Sequence, residues 1–555
     1  MPNYTDPFGD EFEVTQDDLE FLHKISPTLQ GKKYIIPPPL FAPRERERRR
    51  YAFRNLRNLH KRKCDYSGKD IISHLHPDAP ATVYHSDVWW SDVWNELDYG
   101  VDFDFDRTFF DQFKELYRRV PVLHHYVILS ENSEYINGAA SCKNCYLCFN
   151  LDRCENCYYI GDAVHDIFCL DCLGINHCEL CYECINCENC YNLIWAECCV
   201  GCSNSYFLTE CRQCRNCIGC TNLVNKEYYI FNEKASPEEF NRLRASFKSR
   251  AAVQEFQSKY NAHVASFPKK YYFGHSNESF SGNNVHHIKN SYHCFDAFEL
   301  ENCRYCSYIY NASNCMDYTI FGDGSQWIYN CIATGINCTN NAFCVGAWSG
   351  ASDNYYCQLI SACKNCFGCC GMRSKTYCVF NKQYSKDEYE QLVAKIIKHM
   401  QSTGEWGEFF PPSLSPYAFN KTEACLYHPL TKTEALRRGY NWKEEAETSR
   451  TPETYPIPDR IDQVQNSITS ETLQCRATAK SFRIIPQELD FCRSQQIPVP
   501  DLCPSERDLS RIERRPPHAL WKRSCAKTGQ KILTAYGPDC EKVILSEKAY
   551  LEEVY

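Results

Sequence analysis

The sequence predicts a mainly β protein: a duplicated tight β-solenoid of 12-residue coils, with flanking helices and two small terminal modules. Three observations predict it. Residues 130–225 fall into lines of twelve without a gap, from SENSEYINGAAS to CRNCIGCTNLVN. Residues 214–240 align ungapped with 363–389, so the repeat block occurs twice. Residues 36–78 align ungapped with 497–539, so the two ends are copies as well.

The chain then divides in order. An N-terminal module with a basic helix (1–84) leads through an aromatic, partly helical bridge (85–129) into the first solenoid (130–232). A helical connector (233–278), the second solenoid (279–381), and a helix with a wrapping segment (382–447) come next. A linker (448–470) and a C-terminal module (471–555) complete it.

In the first block, 18 of 19 Cys stand at line positions 1, 4, 7 or 10, with Cys198 the exception. Position 3 is Asn in six lines, among them Asn144, Asn156 and Asn216. Position 5 is Tyr, Leu or Ile in seven, among them Tyr146, Tyr158, Tyr182 and Tyr206. A repeat this short cannot bury its apolar face alone, so copies must stack. Twelve residues at about 3.3 Å each enclose a perimeter of ~40 Å, which admits only slim side chains inside. Aligned Asn side chains are placed to hydrogen-bond along the stack. The coil length resembles the tight β-helices of beetle antifreeze proteins in geometry alone, since no regular Thr array accompanies it. In the second block the lines begin at 279, 291, 303, 315, 327, 338, 351 and 363, one a residue short and the next a residue long.

The Tyr column, facing outward, offers either a sugar- or base-stacking stripe or a face covered by a helix or by the other solenoid, and the sequence supplies suitable helices. SPEEFNRLRASFKSRAAVQEFQSKYNAHV (236–264) opens on a Ser cap with Glu three residues on and continues as a helix. SKDEYEQLVAKIIKHM (385–400) does the same after the second block.

C-x-x-C ordinarily signals zinc, because two thiolates on one tight turn grip one tetrahedral ion. Here the Cys columns exchange freely with Ile160, Ala163, Leu193, Ala196, Leu208 and Leu223. A zinc site loses its ion when a ligand becomes Leu, whereas a packed core accepts the swap. The thiols are therefore expected to be free and to fill the core, with bound metal or disulfides as the alternatives. The N-terminus MPNYTDPFGDEFEV lacks a signal-peptide layout, and no stretch has the apolar length of a membrane span. The expected location is the reducing cytoplasm, with no membrane partner.

The ends carry a C-x-x-[ST]-[GA]-[KQ] turn three times: CDYSGK (64–69), CRATAK (475–480) and CAKTGQ (525–530). It looks like a zinc-ribbon knuckle whose second Cys has become Ser or Thr. CPSE (503–506) looks like C-P-x-C with Glu in the second place. The modules are thus expected to be zinc-ribbon-like and metal-free, and zinc is the cofactor the pattern still allows, at Cys475, Cys503, Cys525 and Cys540. No obligatory cofactor is expected.

Net charge is −9, which excludes a uniformly basic surface but leaves room for local patches. Residues 44–63 hold ten Arg or Lys against two Glu. Arg46, Arg49, Arg50, Arg54, Arg57, Lys61, Arg62 and Lys63 are candidates to grip nucleic-acid phosphates, with Tyr51, Phe53, Leu56 and Leu59 forming an apolar side if the segment is helical. Arg511, Arg514, Arg515, Lys522 and Arg523 repeat the theme at the other end. The alternatives are a solvated helix face, pairing with the acidic LDYGVDFDFD (97–106), or a protein partner.

Several stretches together resemble a family of uncharacterised Cys-rich proteins from small-genome bacteria. They are IPPP…RNLRNLHKRKCDYSGKDII, WWSDVW…LDYGVDFDF, the CENCY coils, GEWGEFFPPSLSP and FRIIPQELDF. The resemblance spans nearly the whole chain. Some members carry a CoA-transferase label that nothing in this sequence supports. Complete knuckles in that family imply zinc; this chain departs at Ala42, Glu45, Ser67, Glu506 and Thr528.

The function this points to is a non-enzymatic structural or interaction scaffold whose basic terminal modules engage RNA, DNA or a protein. The alternative is metal- or thiol-based chemistry, zinc-binding or redox. A lesser alternative is a carbohydrate-active β-helix enzyme, for which Asp317, Asp323 and Asp353 are the available carboxylates. No Ser-His-Asp arrangement, phosphate-cradling Gly loop or HExxH motif is present.

Overall fold

The computed structural model describes residues 3–159, 161–164, 173–176, 179, 182–444 and 451–554. Cys169, Cys172, Cys178 and Cys181, and the start of the expected linker, lie outside them. The chain is mostly strand with some helix, 32% and 26%. Among the described residues, no helix is long and apolar enough to cross a membrane.

Two compact units form, each assembled from separated stretches of chain. One comprises Met1–His125, Tyr272–Lys443 and Pro517–Leu520; the other comprises Tyr126–Tyr271, Glu444–Pro516 and Trp521–Tyr555. Each unit holds one parallel strand ladder.

In the second unit, the ladder runs from Val127–Ile128 through Asn137–Ala140, Phe149–Asp152, Gly161–Val164 and Leu173–Asn176. It resumes with Tyr191–Glu197, Ser203–Thr209, Ile218–Thr221 and Tyr229–Ile230. Each residue pairs with one twelve positions on, as in Ala139 with Leu151, Leu193 with Ser205 and Tyr206 with Ile218. The backbone turns at every third residue: Asn144, Leu147, Asn150, Arg153 and Asn156 all have positive φ. This explains the Asn column twice over. Asn tolerates the left-handed conformation better than most residues. Its amides also link successive strands, Asn132 Nδ2 to Asn144 Oδ1 at 2.8 Å and Asn144 Nδ2 to Asn156 Oδ1 at 3.0 Å.

Cys142, Cys145, Cys148, Cys154 and Cys157 are buried together with Leu151, Leu193, Ala196 and Leu208 in one apolar cluster. Outside it, Tyr158, Tyr182 and Tyr206 pack beneath Phe240, Phe247, Phe256 and Phe491. The segment expected to be one helix is two, Pro237–Ser246 and Arg250–Ala265. Ser249 caps the second afresh, its side chain accepting from Ala252 N–H, while Arg250 N–H donates to Asp459.

The first unit's ladder spans Gly274–His275 to Lys382–Gln383 and is less regular. Pairing begins eleven residues apart (Glu278 with Lys289) and becomes twelve after Phe280. It becomes thirteen between Tyr310 and Ala312, as Gln326 with Thr339 and Val345 with Gln358 show. Ser352 with Lys364 restores twelve. The irregularity expected near Trp327 and Gly350, one short line then one long, is thus replaced by a short start and an added residue after Gly322. A glycine stands at each shift. A Cβ at Gly282 would lie 1.9 Å from the Cys294 carbonyl oxygen, and one at Gly322 1.8 Å from that of Tyr310.

Both ladders end in the same hairpin. Tyr229–Ile230 turns through Phe231 and Asn232 onto Glu233–Lys234, and Thr376–Val379 through Phe380 and Asn381 onto Lys382–Gln383. All four turn residues have positive φ, as a tight hairpin turn requires. The hairpin closes the open edge, and a Ser-capped helix follows each, Pro237–Ser246 and Lys386–Thr403.

The three knuckles share one hydrogen-bonded form. Cys64 N–H donates to Lys69 and Gly68 N–H to Cys64; Cys475 and Ala479, then Cys525 and Gly529, repeat this. Each knuckle joins an antiparallel pair of strands. The basic helix covers only Pro43–Tyr51, so Phe53, Leu56 and Leu59 do not extend it. Ala52 caps it, its N–H donating to the Arg48 carbonyl, and beyond the cap Asn55 accepts from Asn58 N–H and donates to the His74 carbonyl.

Candidate functional site

The helix Pro43–Tyr51 places Glu47 among residues distant in sequence. Glu47 Oε1 lies 2.9 Å from His518 Nδ1, and its Oε2 lies 3.0 Å from His428 Nε2. His518 Nε2 lies 2.8 Å from Asp296 Oδ2, and Asp296 Oδ1 accepts from Asn284 at 2.6 Å. All four of these acidic and histidine side chains are buried. The His518 ring lies parallel to Phe295, centroids 4.9 Å apart, and to Tyr427 at 5.5 Å. Its orientation is fixed on stacking and hydrogen bonding together. His428 follows the short helix Glu423–Tyr427, and its carbonyl accepts from Arg48 Nε.

Both ring nitrogens of His518 face carboxylates, which accept only, so both must donate and the ring is an imidazolium. Burial opposes that charge, but Glu47 and Asp296 outweigh it and raise the pKa to about 9. Burial lowers His428 to about 4 despite its bond to Glu47. Glu47 is held well below the usual carboxylate range: burial would raise it, and the two imidazoles overcome that.

A cavity of about 260 Å³ opens beside this cluster, lined by Glu47, His518, Arg44, His293 and Tyr305 among others. It is large enough for several waters.

The basic run is largely spent inside the protein. Arg46 Nε pairs with Asp317 at 2.9 Å. Arg50 donates to the same carboxylate, to Asn330 Oδ1 and to Thr319 Oγ1. Arg46, Arg50 and Arg54 are buried. Arg49 stacks on Phe41 and lies 3.8 Å from Glu408; Arg57 pairs with Glu423, and Arg62 with Asp65. None of these carboxylates belongs to 97–106, the acidic stretch expected from sequence. Lys61 and Lys63 are exposed, Lys63 beside Asp70 at 2.9 Å.

In the other unit Arg511 is buried, 3.7 Å from Asp508. Arg514 is exposed and pairs with Glu197 at 3.0 Å, and Arg515 is half-buried. Lys522 is exposed, and Arg523 donates to the carbonyls of Gly537 and Cys540. Cys475 and Cys503 share one apolar cluster, Cys525 belongs to another, and Cys540 is half-buried. Among the described residues no cysteine joins a group of three metal-ligating side chains. Of the acids considered for glycoside chemistry, Asp317 is buried between arginines, Asp353 accepts from Asn340, and Asp323 is exposed.

Sequence reasoning registered Glu47 only as one of two acids in a basic run, and missed Asp296, His428 and His518. They share no motif. The alternation of acid and base in PRERERRRY gives no local hint either, since alternating charge is the ordinary pattern of a solvent-exposed, salt-bridged helix.

No family model matches the chain, and no curated protein does. One solved structure it is similar to is that of a "putative acetyltransferase" from Desulfovibrio desulfuricans G20, at 10% identity and a TM-score of 0.10. The match covers 44% of this chain and 62% of that structure's own length.

Proposed function

We propose that the protein is a non-enzymatic scaffold: two β-solenoids of about 12-residue coils, with zinc-ribbon-like modules at the ends whose cysteines pack instead of binding zinc. The observation that carries this is how the core thiols are used. Cys148 Sγ donates to the Tyr146 carbonyl and to that of Cys157 on the next strand; Cys202 donates likewise to Val200 and Cys211. The thiols act as slim apolar groups with a weak local donor, which suits a narrow interior. A reducing, cytoplasmic location belongs to the same proposal, since the 35 described cysteines are all free thiols.

The test is thiol accessibility. Of the described cysteines only Cys198, Cys425 and Cys540 are not fully buried. A thiol reagent should modify a small minority of the thiols in native protein and the rest only on unfolding. Rapid native reaction of most thiols overturns the reading.

Binding of RNA or DNA through the terminal modules is the second reading, favoured by the exposure of Lys61, Lys63 and Lys522. It predicts a low-salt mobility shift with mixed RNA or DNA that the triple substitution K61E/K63E/K522E abolishes. No shift at low salt overturns the nucleic-acid reading.

A further inference from the structure

We propose that Glu47, His428 and His518 form a binding site for one divalent first-row transition-metal ion. This goes beyond the scaffold reading and uses none of the cysteines on which that reading rests. The three ligand atoms, a Glu47 carboxylate oxygen, His428 Nε2 and His518 Nδ1, all lie within 4.8 Å of one another. Bonds of about 2.0–2.1 Å to a tetrahedral ion would place such atoms roughly 3.3 Å apart. The separations of 2.9 and 3.0 Å run to different Glu47 oxygens, Oε1 to His518 and Oε2 to His428, so the carboxylate turns to present one oxygen to both rings as the ion enters.

The surroundings match what holds metal ligands in place. A metal-bound histidine generally donates its other N–H to a carboxylate. His518 Nε2 does so to Asp296, which is in turn held by Asn284. Stacking on Phe295 and Tyr427 fixes the ring plane. His428 is held from behind by Arg48 at its carbonyl. The remaining coordination position has room, because Glu47 and His518 both line the 260 Å³ cavity. Metal entry releases the Nδ1 proton of His518 to solvent, and the Nε2 proton that His428 donates to Glu47 is exchanged through solvent for one on Nδ1, which frees Nε2 as the ligand. His518 Nε2 keeps its proton for Asp296, so the charge between the two carboxylates is replaced and not lost. Two imidazoles and one carboxylate suit Zn²⁺, Co²⁺, Fe²⁺ or Mn²⁺ over Ca²⁺ or Mg²⁺, which prefer oxygen ligands.

The experiment is a Co²⁺ titration of reduced, chelator-treated full-length protein under anaerobic conditions. The expected result is one equivalent with d–d bands and no thiolate-to-cobalt charge-transfer band. H428Q should weaken binding at least tenfold, and C475S and C525S should leave it unchanged. X-ray absorption on the cobalt-loaded unmutated protein should show two imidazoles and no sulfur neighbour, a readout independent of whether H428Q folds. Absence of a nitrogen–oxygen cobalt site, sulfur in the coordination shell, or an affinity indifferent to H428Q in folded protein each overturns the proposal. Failure here leaves the thiol-accessibility result untouched.

Discussion

His428 Nε2 sits 3.0 Å from Glu47 Oε2, across 381 residues of sequence, with both groups buried. A carboxylate out of water is costly unless paired and hydrogen-bonded. Glu47 meets that condition through two imidazoles, one of which also reaches Asp296. The helix Pro43–Tyr51, the short helix Glu423–Tyr427 and the segment 517–520 are thereby tied to the first unit's ladder by one polar network.

Glu47→Gln should therefore be strongly destabilising. It leaves the His518 imidazolium with one carboxylate where it had two, inside a low-dielectric site. Breaking one partner of a buried pair costs about 3–5 kcal/mol. Urea unfolding of metal-free protein should show a loss of that order. A change under about 1 kcal/mol would mean that the network is hydrated and contributes little.

The same network predicts how stability varies with pH. His518 has a native pKa of about 9, above the unfolded value of roughly 6.5. Its contribution is fully present below about 6.5 and is lost as pH rises through about 9; the linkage is on the order of 3 kcal/mol. His428 runs the other way. Its native pKa of about 4 means the unfolded chain takes up a proton first as pH falls below about 6.5, which lowers stability on the acid side. Glu47, held low, adds to that acid loss. Burial pushes core thiols such as Cys199, Cys294 and Cys303 well above their ordinary value, so they also make stability pH-dependent on the alkaline side. The measurement is therefore the difference in unfolding free energy between wild type and H518Q from pH 6 to 10. That difference should shrink as pH rises. A constant difference would contradict the imidazolium assignment.

Gly322 and Gly324 are two residues apart and should behave differently. At Gly322, φ is +146° and a Cβ would meet the Tyr310 carbonyl oxygen at 1.8 Å. Gly322→Ala should thus force the ladder apart and cost about 3 kcal/mol or more. At Gly324, φ is +76° and the space is open, so Gly324→Ala should cost only the left-handed backbone term, about 1–2 kcal/mol. Equal thermal shifts in the two variants would place the register change elsewhere.

Much of the ladder can be read from sequence because its cause is local and repeats. A period of twelve, Cys or Leu inside and Asn at the corners follow from one geometry imposed many times. The covering helix declares itself through Ser236 and Glu239, four positions in a row. The register shifts do not, because the carbonyl oxygen that crowds Gly282 and Gly322 lies on another strand, and Gly274 meets the same crowding without a shift. The site is invisible for the same reason at longer range. Arg46 and Arg50 are one helical turn apart and read as a phosphate-gripping face. They face Asp317 instead, 271 and 267 residues away, and nothing near residue 46 announces it.

The core cysteines give the sharpest test of sulfur as packing. Cys202 Sγ accepts from Cys214 N–H at 3.4 Å and donates to the Val200 carbonyl at 3.7 Å. One ladder position on, Ser205 makes the same two bonds, donating to Ser203 at 2.7 Å and accepting from Cys217 N–H at 3.0 Å. Ser291 does so again in the other unit, toward Lys289 and Cys303. The interior thus already accepts a hydroxyl wherever it can bridge those groups. Cys202→Ser should cost within about 1 kcal/mol. Cys202→Ala removes the acceptor and leaves the Cys214 N–H buried without it, at about 1–3 kcal/mol, with a small cavity term added. Unfolding free energies should therefore rank Cys, then Ser, then Ala. Were these thiols gathered on metal, Ser and Ala would both abolish the site and be equally damaging, and chelation of the wild type would reproduce the loss.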